Sequence, residues 1–584
     1  MASTSVPAHG GDCVAAALQA HGVPVLFTLC GGHISPILTA AKARGIRIVD
    51  VRDEATAAFA ADAVSRLTGI PGVAAVTAGP GLTNTLTALE NAQLAQSAIV
   101  LLCGAAPTAL QGRGALQDIP QRPVAAPHVK RFTPVRRVRD ITRAIAEAFF
   151  VARDGVPGPV VVEIPVDVLY DEASIRQWYA DASGKGTTIA DRLLRAYLKR
   201  HADRLFAGSG AALQTGAREA NPVLPSEAGI EAAARAICRS SRPLLVAGSQ
   251  VVTEAANAPR VASAIARIGV PAYLSGMARG LLGREASLQM RHRRRDALRA
   301  ADCVVLAGVP CDFRLDYGRH VRRSSTLIAA NRSRHDAQLN RKPTIAAMGD
   351  AGIFLQRLAE RIDDDASARW QPWIDELHAR DAQREREIDA QAAAAGEYVN
   401  PLALLRAIDA AASDAAIFVA DGGDFVATAS YVVHPRGPLT WLDPGVFGTL
   451  GVGAGFALGA AVCRPDAEVW ILFGDGACGY GLTEFDTFVR HGIAPIAVVG
   501  NDAGWTQIAR EQIKLLHDDV GTTLARTAYH EVAAGFGAEG ILVMHEADIP
   551  EALTRALACS RRGRPVLINV WLDRTDFREG SISM

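Results

Sequence analysis

The sequence predicts an α/β protein with three doubly wound parallel-sheet domains. Two observations indicate this fold class: short apolar, strand-like runs alternate with amphipathic helical stretches, and this alternation recurs in three blocks separated by changes in composition. A chain of 584 residues is also too long for a single core. Domains usually hold about 150 residues each, so several units are expected.

The three blocks define the predicted domains. Residues 8–182 and 226–365 form the first two, and residues 397–584 form the third, which ends in a polar tail. The segments 183–225 and 366–396 are predicted to be linkers, the second of them a charged, solvated helix. The strands are expected near 25–27, 46–49, 73–77, 99–103 and 160–164 in the first domain, 243–247, 303–307 and 326–330 in the second, and 416–420, 468–473, 496–499 and 565–570 in the third.

Composition excludes several functional classes. Apolar residues make up 49% of the chain and charged residues 21%, which is typical of a globular protein. Lys plus Arg and Asp plus Glu both number 61, so nucleic acid and anionic membrane surfaces are not expected as partners. No secretory signal is visible, and the Gly-rich apolar run 450–462 is shorter than the ~20 residues of a spanning helix. We therefore expect a cytoplasmic protein.

The most informative motif is Gly474-Asp475-Gly476, which follows an apolar strand. The next strand leads to Asp502, which offers a second carboxylate, and two side-chain oxygens with a backbone carbonyl and a diphosphate suit Mg²⁺. Glycines at a helix start also let backbone N–H groups approach a phosphate. The alternative is an ordinary turn after a buried strand.

A second motif lies in the first domain. Glu54 stands at a strand-to-helix junction, and the loop Gly79-Pro80-Gly81 follows the next strand, with Asn84 just beyond it. Taken alone, Glu54 is an acid in a first helical turn, where the helix dipole favours it. Its pairing with the Gly-Pro-Gly loop favours a functional role.

Together these motifs resemble those of thiamine diphosphate enzymes of the acetolactate synthase type. The resemblance covers nearly the whole chain and includes the Gly-rich run 444–456. It implies pyrimidine, middle and diphosphate domains, with thiamine diphosphate and Mg²⁺ as cofactors. In that family the second metal ligand is usually Asn, whereas this chain has Asp502, which adds one formal negative charge.

The resemblance implies a role for each site residue. Glu54 would donate a hydrogen bond to N1′ of the aminopyrimidine, so it must keep or share its proton, and His33 and Gln117 would face the reacting carbon. Leu450 would wedge between the two rings and the Gly448 carbonyl would accept from the 4′-amino group. The further cofactor contacts are Gly31, Pro80, Asn84, Asp424, Gly474, Gly476 and Ala477, and the metal ligands are Asp475, Asp502 and the Gly504 carbonyl.

The middle domain suggests an adenine nucleotide site. Family relatives bind FAD, ADP or nothing there, and all three remain open. Asn331 follows a strand at the place where a ribose ligand is often found, and Asp350 could meet an adenine. We expect ADP here if the site is occupied.

The most extended resemblance is to the 2-hydroxyacyl-CoA lyases labelled acetolactate synthase-like. It implies reversible cleavage of a 2-hydroxyacyl-CoA to formyl-CoA and an aldehyde or ketone. Oxalyl-CoA decarboxylase and FAD-containing acetolactate synthase are the alternative activities, and a degenerate regulatory subunit is disfavoured because Glu54, Asp475 and Asp502 are all present. Family sites combine two chains, so a homodimer or homotetramer is expected.

Overall fold

A computed structural model describes residues 9–184, 188–209, 220–363 and 368–579. It contains three sheets of six strands each, in which every strand pairing is parallel. The predicted fold class is therefore confirmed. No helix among the described residues is long and apolar enough to span a membrane.

The first sheet has the strand order β2-β1-β3-β4-β6-β5. Its inner strands β1, β3 and β4 are buried over their whole length, as parallel strands covered on both faces require, whereas the edge strands β2 and β5 begin with the exposed Arg47 and Arg131. The strands are β1 (Val25–Thr28), β2 (Arg47–Asp50), β3 (Gly72–Val76), β4 (Ile99–Ala105), β5 (Arg131–Pro134) and β6 (Val160–Pro165). The helices are α1 (Gly10–Ala20), α2 (Ser35–Ala43), α3 (Glu54–Thr68), α4 (Pro80–Asn84), α5 (Leu86–Ala95), α6 (Gln121–Ala125), α7 (Ile141–Arg153), α8 (Val166–Leu169), α9 (Glu172–Ala182) and α10 (Ile189–Phe206).

The second sheet has the order β12-β11-β10-β7-β8-β9. Counted from its own first strand, this is the 3-2-1-4-5-6 order of dinucleotide-binding folds. Its strands are β7 (Pro243–Ala247), β8 (Ala272–Leu274), β9 (Gln289–Met290), β10 (Cys303–Ala307), β11 (Thr326–Asn331) and β12 (Ile345–Met348). The helices of this region are α11 (Glu227–Arg239), α12 (Ala258–Ile268), α13 (Arg294–Ala300), α14 (Arg334–Gln338), α15 (Ala351–Ala359) and α16 (Gln371–Ala392).

The third sheet has the order β14-β13-β15-β16-β18-β17, which repeats the topology of the first sheet strand for strand. All six residues of β13 are buried, and β15 and β16 are equally apolar. The strands are β13 (Ala416–Asp421), β14 (Trp441–Leu442), β15 (Glu468–Gly474), β16 (Ile496–Asn501), β17 (Glu539–Val543) and β18 (Val566–Trp571). The helices are α17 (Pro401–Ala411), α18 (Gly423–Val432), α19 (Val452–Cys463), α20 (Asp475–Gly481), α21 (Glu484–His491), α22 (Thr506–Leu516), α23 (Tyr529–Gly535) and α24 (Ile549–Arg561).

The chain separates into two compact units. One holds the first sheet and extends to Asn221, and the other holds the second and third sheets from Pro222 onward, with the short stretch Arg66–Gly69. The predicted linker 183–225 contains α10, which begins with Thr188 accepting a hydrogen bond from the Asp191 N–H. The predicted connecting helix in 366–396 corresponds to α16.

Each of the first and third sheets reverses its strand order at one place. In the first sheet this place lies between β1 and β3, and in the third between β13 and β15. Ligands of open α/β sheets bind at the carboxyl ends of the strands that flank such a reversal. Chain segments leaving β1, β3, β13 and β15 are therefore where each unit should carry its functional residues.

Candidate active site

Three polar side chains meet at the strand reversal of the first sheet. Thr77 directly follows β3 and donates from Oγ1 to Gln117 Oε1 at 3.3 Å. His33, in the loop after β1, places Nδ1 3.1 Å from the same Thr77 hydroxyl. The structure thus joins His33 and Gln117, which the sequence singled out separately, through a residue that the sequence analysis missed.

This arrangement determines the tautomer of His33. Because Thr77 donates its only O–H to Gln117, His33 Nδ1 must carry the proton and donate to Thr77. In the neutral ring Nε2 is then an acceptor. Burial lowers the pKa of His33 below its usual value, so the neutral form predominates near pH 7.

Close backbone packing holds these side chains in place. A side chain on Gly31 would meet Thr77 Cβ at 2.5 Å, and one on Gly104 would meet His33 Cβ at 2.7 Å. Gly79 has φ +60°, a value that favours glycine, and its N–H donates to the buried Gln121 Oε1 at 2.9 Å. Gln121 also donates to Glu163 at 3.0 Å, so it fixes the turn that begins α4.

Glu54 and Asn84 form a pair beside this cluster. Glu54 begins α3, is 7% exposed, and accepts a hydrogen bond from Asn84 Nδ2 at Oε2, 3.0 Å away. Asn84 ends the short helix α4, which begins with Pro80. The second carboxyl oxygen of Glu54 does not take part in this bond, so it is the atom available to a ligand.

Asp475 is the central residue at the strand reversal of the third sheet. It begins α20, is 3% exposed, and accepts from the Gly476 N–H at 2.8 Å and from the Gly504 N–H at 3.0 Å. The second bond ties the end of β15 to the segment that follows β16. The predicted metal ligands Asp475, Asp502 and Gly504 are therefore brought together.

The electrostatics of this group fit a cation. Burial, and then the charge of Asp502, raise the pKa of Asp475 from 3.8 to about 6, and burial also raises the pKa of Asp502. A buried carboxylate whose ionisation is made costlier by a second one nearby is stabilised by a bound divalent ion. No cluster of three or more His, Cys, Asp and Glu side chains suited to a metal occurs in the described part of the chain. Asp475, Asp502 and the Gly504 carbonyl would offer only oxygen ligands, which Mg²⁺ prefers.

Two glycines let other side chains pack closely next to these carboxylates. A Cβ on Gly476 would lie 2.3 Å from the ring of Trp505, which precedes α22. A Cβ on Gly422 would lie 2.6 Å from both Ala477 Cβ and Leu450 Cδ2. Leu450 therefore sits against the ends of β13 and β15. Gly474, the last residue of β15, lies close to the Gly422 carbonyl.

Asp424 lies in the first turn of α18 and faces α22. Its Oδ2 accepts from Arg510 Nη2 at 2.9 Å, whereas its Oδ1 is buried without a hydrogen-bond partner. An unpaired buried carboxyl oxygen is costly, and a ligand that donates a hydrogen bond would relieve that cost. This orphaned atom fits the predicted cofactor contact.

Asp421 is a site residue that the sequence analysis missed. It ends β13, is fully buried, and accepts from the Gly451 N–H at 3.1 Å and the Gly453 N–H at 2.7 Å. These bonds fix the Gly-rich segment that carries Leu450 and Gly448, where Gly448 has φ +65°. Burial raises the pKa of Asp421 to about 7. An apolar strand ending in Asp-Gly-Gly was the signal that could have revealed it.

The two predicted nucleotide ligands of the second sheet lie near each other. Asn331 Oδ1 accepts from Gln250 Nε2 at 2.9 Å. Asp350 caps α15 by accepting from the Ile353 N–H at 2.7 Å and pairs with Arg332 at 2.5 Å. Both predicted residues are almost fully buried, and both already bind protein groups.

Comparison with known proteins identifies the family. The descriptions "Thiamine pyrophosphate enzyme, N-terminal TPP binding domain", "central domain" and "C-terminal TPP binding domain" match residues 8–124, 230–358 and 421–570. The chain is 49% identical to 2-hydroxyacyl-CoA lyase 2 of Homo sapiens, covering 99% of this chain and 92% of the relative. It is 46% identical to 2-hydroxyacyl-CoA lyase 2 of Caenorhabditis elegans (99% and 91% covered), and 33% identical to a probable acetolactate synthase of Mycobacterium bovis (98% of both). The chain therefore belongs to the family of thiamine pyrophosphate enzymes that includes the 2-hydroxyacyl-CoA lyases.

Proposed function

We propose that this protein is a thiamine diphosphate-dependent lyase that splits a 2-hydroxyacyl-CoA. The C1–C2 bond breaks, the 2-hydroxyl becomes the carbonyl of an aldehyde or ketone, and the thioester carbon leaves as formyl-CoA. The observation that carries the proposal is the 44–49% identity, over at least 98% of this chain, to relatives named 2-hydroxyacyl-CoA lyase 2. In reverse, formyl-CoA would be joined to a carbonyl compound.

The third sheet would hold Mg²⁺ and the diphosphate. Asp475 and Asp502 would bind the ion with the Gly504 carbonyl, and Gly474, Gly476 and Ala477 would turn their N–H groups to the diphosphate. The raised pKa of Asp475 and its hydrogen bond from the Gly504 N–H support this assignment. When bound, the thiazolium supplies a nucleophilic carbon and accepts the electron pair of the broken bond.

Glu54 would hold the pyrimidine end of the cofactor. A buried carboxyl that already accepts from Asn84 on one oxygen can present the other to ring nitrogen N1′. Its position at the start of α3, enclosed by packing, excludes water from that contact. Family sites pair the first domain of one chain with the third of its neighbour, so we propose a homodimer or homotetramer.

His33 and Gln117 would handle the substrate hydroxyl. With Nδ1 fixed by Thr77, the lone pair of His33 Nε2 would accept the 2-hydroxyl proton as the bond breaks. The neutral amide of Gln117 orients the same hydroxyl without itself titrating. The lowered pKa of His33 supports the role of base.

The middle domain would bind ADP. Its dinucleotide-type strand order supports a nucleotide site, with Asn331 and Asp350 at the carboxyl ends of neighbouring strands. Because Asn331 and Asp350 already bind protein groups, ADP binding would require them to exchange these partners for the nucleotide. Absorbance of the purified protein distinguishes ADP from FAD, since only the flavin absorbs visible light.

Product analysis tests the proposed reaction. The protein is incubated with thiamine diphosphate, Mg²⁺ and a 2-hydroxyacyl-CoA, and the thioesters are separated by chromatography. We expect formyl-CoA and the matching aldehyde, and none from the Glu54→Gln variant. Turnover of pyruvate without thioester cleavage would instead favour acetolactate synthase, the activity named for the relatives at 33% identity.

A further inference from the structure

Four arginines gather around Tyr431 in the unit that holds the second and third sheets. This arginine cluster consists of Arg279, Arg291, Arg294 and Arg578. Arg578 places its guanidinium 5.2 Å from the centre of the Tyr431 ring, and Arg279 lies 5.6 Å from the Trp441 ring. The Tyr431 ring itself is 39% exposed, so the cluster borders solvent.

Main-chain carbonyls are the acceptors of three of these arginines. Arg279 Nη1 donates to the Ser430 carbonyl at 2.8 Å, and Arg291 Nη2 donates to those of Tyr431 and Val433 at 2.9 Å each. Arg294 Nη2 donates to the Arg314 carbonyl at 2.7 Å. The carbonyls at 430, 431 and 433 end helix α18, whose dipole favours a cation there.

The carbonyls at the end of α18 do not use all the N–H donors of these arginines. A guanidinium carries five N–H donors, and Arg291 Nη1 is buried without a hydrogen-bond partner. Burial lowers the pKa of Arg279, Arg291 and Arg294, that of Arg291 to about 10, and the charge of Arg279 lowers the pKa of both others further. The positive charges of these three arginines therefore lie close together in a region from which water is largely excluded.

Other buried arginines of this protein are paired with carboxylates. Arg332 pairs with Asp350 at 2.5 Å and Arg436 with Asp409 at 2.7 Å. Across the described ranges, Arg279, Arg291 and Arg294 form no such ion pair with a carboxylate, although Asp443 and Glu385 partly offset their charge. Within the part of the chain that the structure describes, these three guanidiniums therefore have no carboxylate bound to them directly.

We propose that the arginine cluster binds a phosphate group of the CoA part of the substrate. A phosphate matches the planar guanidinium fork and accepts several N–H groups at once. This inference rests on the proposed function, because a free adenine nucleotide such as ADP has the same chemistry.

Calorimetric titration with CoA tests the site directly, without turnover. The thiamine diphosphate-loaded protein is compared with Arg291→Met and with the control Arg293→Met, whose arginine is exposed and paired with Glu387. We expect Arg291→Met to weaken CoA binding at least about tenfold, as losing a charged hydrogen-bonding partner predicts, with unchanged affinity for thiamine diphosphate. Arg291→Lys should recover part of the loss. CoA affinity within twofold of wild type in Arg291→Met would overturn the proposal.

Two further arms identify the source of the phosphate and separate the two hypotheses. CoA should displace ADP from the arginine cluster; ADP that binds more tightly and resists displacement would overturn the assignment to CoA. CoA binding that depends on Arg291 without any formyl-CoA would support the site and refute the lyase. Formyl-CoA production with an unchanged KM in Arg291→Met would support the lyase and refute the arginine cluster as the phosphate site.

Discussion

Magnesium binding should depend on pH through Asp475. Burial and the charge of Asp502 raise the pKa of this carboxyl from 3.8 to about 6 in the metal-free protein. At 1.36 kcal/mol per pKa unit, a shift of about 2 units means that ionising Asp475 in the folded protein costs about 3 kcal/mol more than ionising the same group in the unfolded chain. A bound divalent ion offsets this cost.

The sign of the effect follows from linkage. The folded, metal-free protein holds the Asp475 proton more tightly than the unfolded chain, so its stability falls as pH rises from about 4 to about 6 and is constant above. Mg²⁺ needs the ionised carboxylate, so protons compete with it below pH 6. We expect the apparent Kd for Mg²⁺ to rise about tenfold per pH unit below 6 and to vary little between pH 7 and 8.

Calorimetry of Mg²⁺ binding at pH 5, 6, 7 and 8, with thiamine diphosphate present, measures this dependence. The matched variant is Asp502→Asn, which keeps an oxygen ligand but removes the second largest cause of the shift. In this variant the rise of the Kd for Mg²⁺ at acid pH should begin at a lower pH. Equal Mg²⁺ affinity at pH 5 and pH 7 in the wild type would refute the reasoning.

Three further substitutions test the geometry of the site. Gly476→Ala should weaken cofactor binding by about 1–3 kcal/mol, measured by titration with thiamine diphosphate, because the added Cβ lies 2.3 Å from the Trp505 ring. Thr77→Val should lower kcat by about tenfold or more at unchanged cofactor affinity, since His33 loses the partner that fixes its tautomer. Asp421→Asn should lower the unfolding temperature, because one of two buried N–H groups loses its acceptor at about 1–3 kcal/mol.

Each of these variants has a control of the same type. Gly479→Ala lies in the same helix with open space around it, Thr39→Val removes a hydroxyl remote from the cluster, and Asp414→Asn changes a carboxyl whose side chain is 95% exposed. All three should behave as wild type. A Gly476→Ala, Thr77→Val or Asp421→Asn variant that matches its control would contradict the corresponding contact.

The central strands could be predicted from the sequence because burial on both faces demands apolar runs. β7 and β10 were predicted to the residue, and the other long strands to within one or two. Six strands were missed: the three-residue β8 and the edge strands β5, β9, β12, β14 and β17, of which β9 and β14 have two residues each and β5 includes Arg131. Such strands are specified by pairing with a neighbour, so local composition carries little signal. Helix α10 was missed although its capping residue Thr188 and its apolar spacing were visible.

For the site, residues inside motifs were predictable, whereas those that support the motifs from elsewhere in the chain were not. Asp475 and Glu54 stand at strand–helix junctions with glycines nearby, and the sequence points to both. Thr77, Gln121 and Asp421 act through contacts with residues 18 to 44 positions away, such as the Thr77–His33 bond. Only the strand order, which one sequence does not reveal, brings those positions together.

Hydrogen exchange at C2 of bound thiamine diphosphate tests the central claim most directly. The claim is that Glu54 acts on the pyrimidine of a cofactor that Asp475 and Asp502 anchor through Mg²⁺. The loaded protein is placed in D₂O, quenched with acid, and the C2 proton is followed by NMR. We expect Glu54→Gln to slow the exchange by roughly 100-fold or more while thiamine diphosphate still binds. Exchange at the wild-type rate in Glu54→Gln would contradict the account.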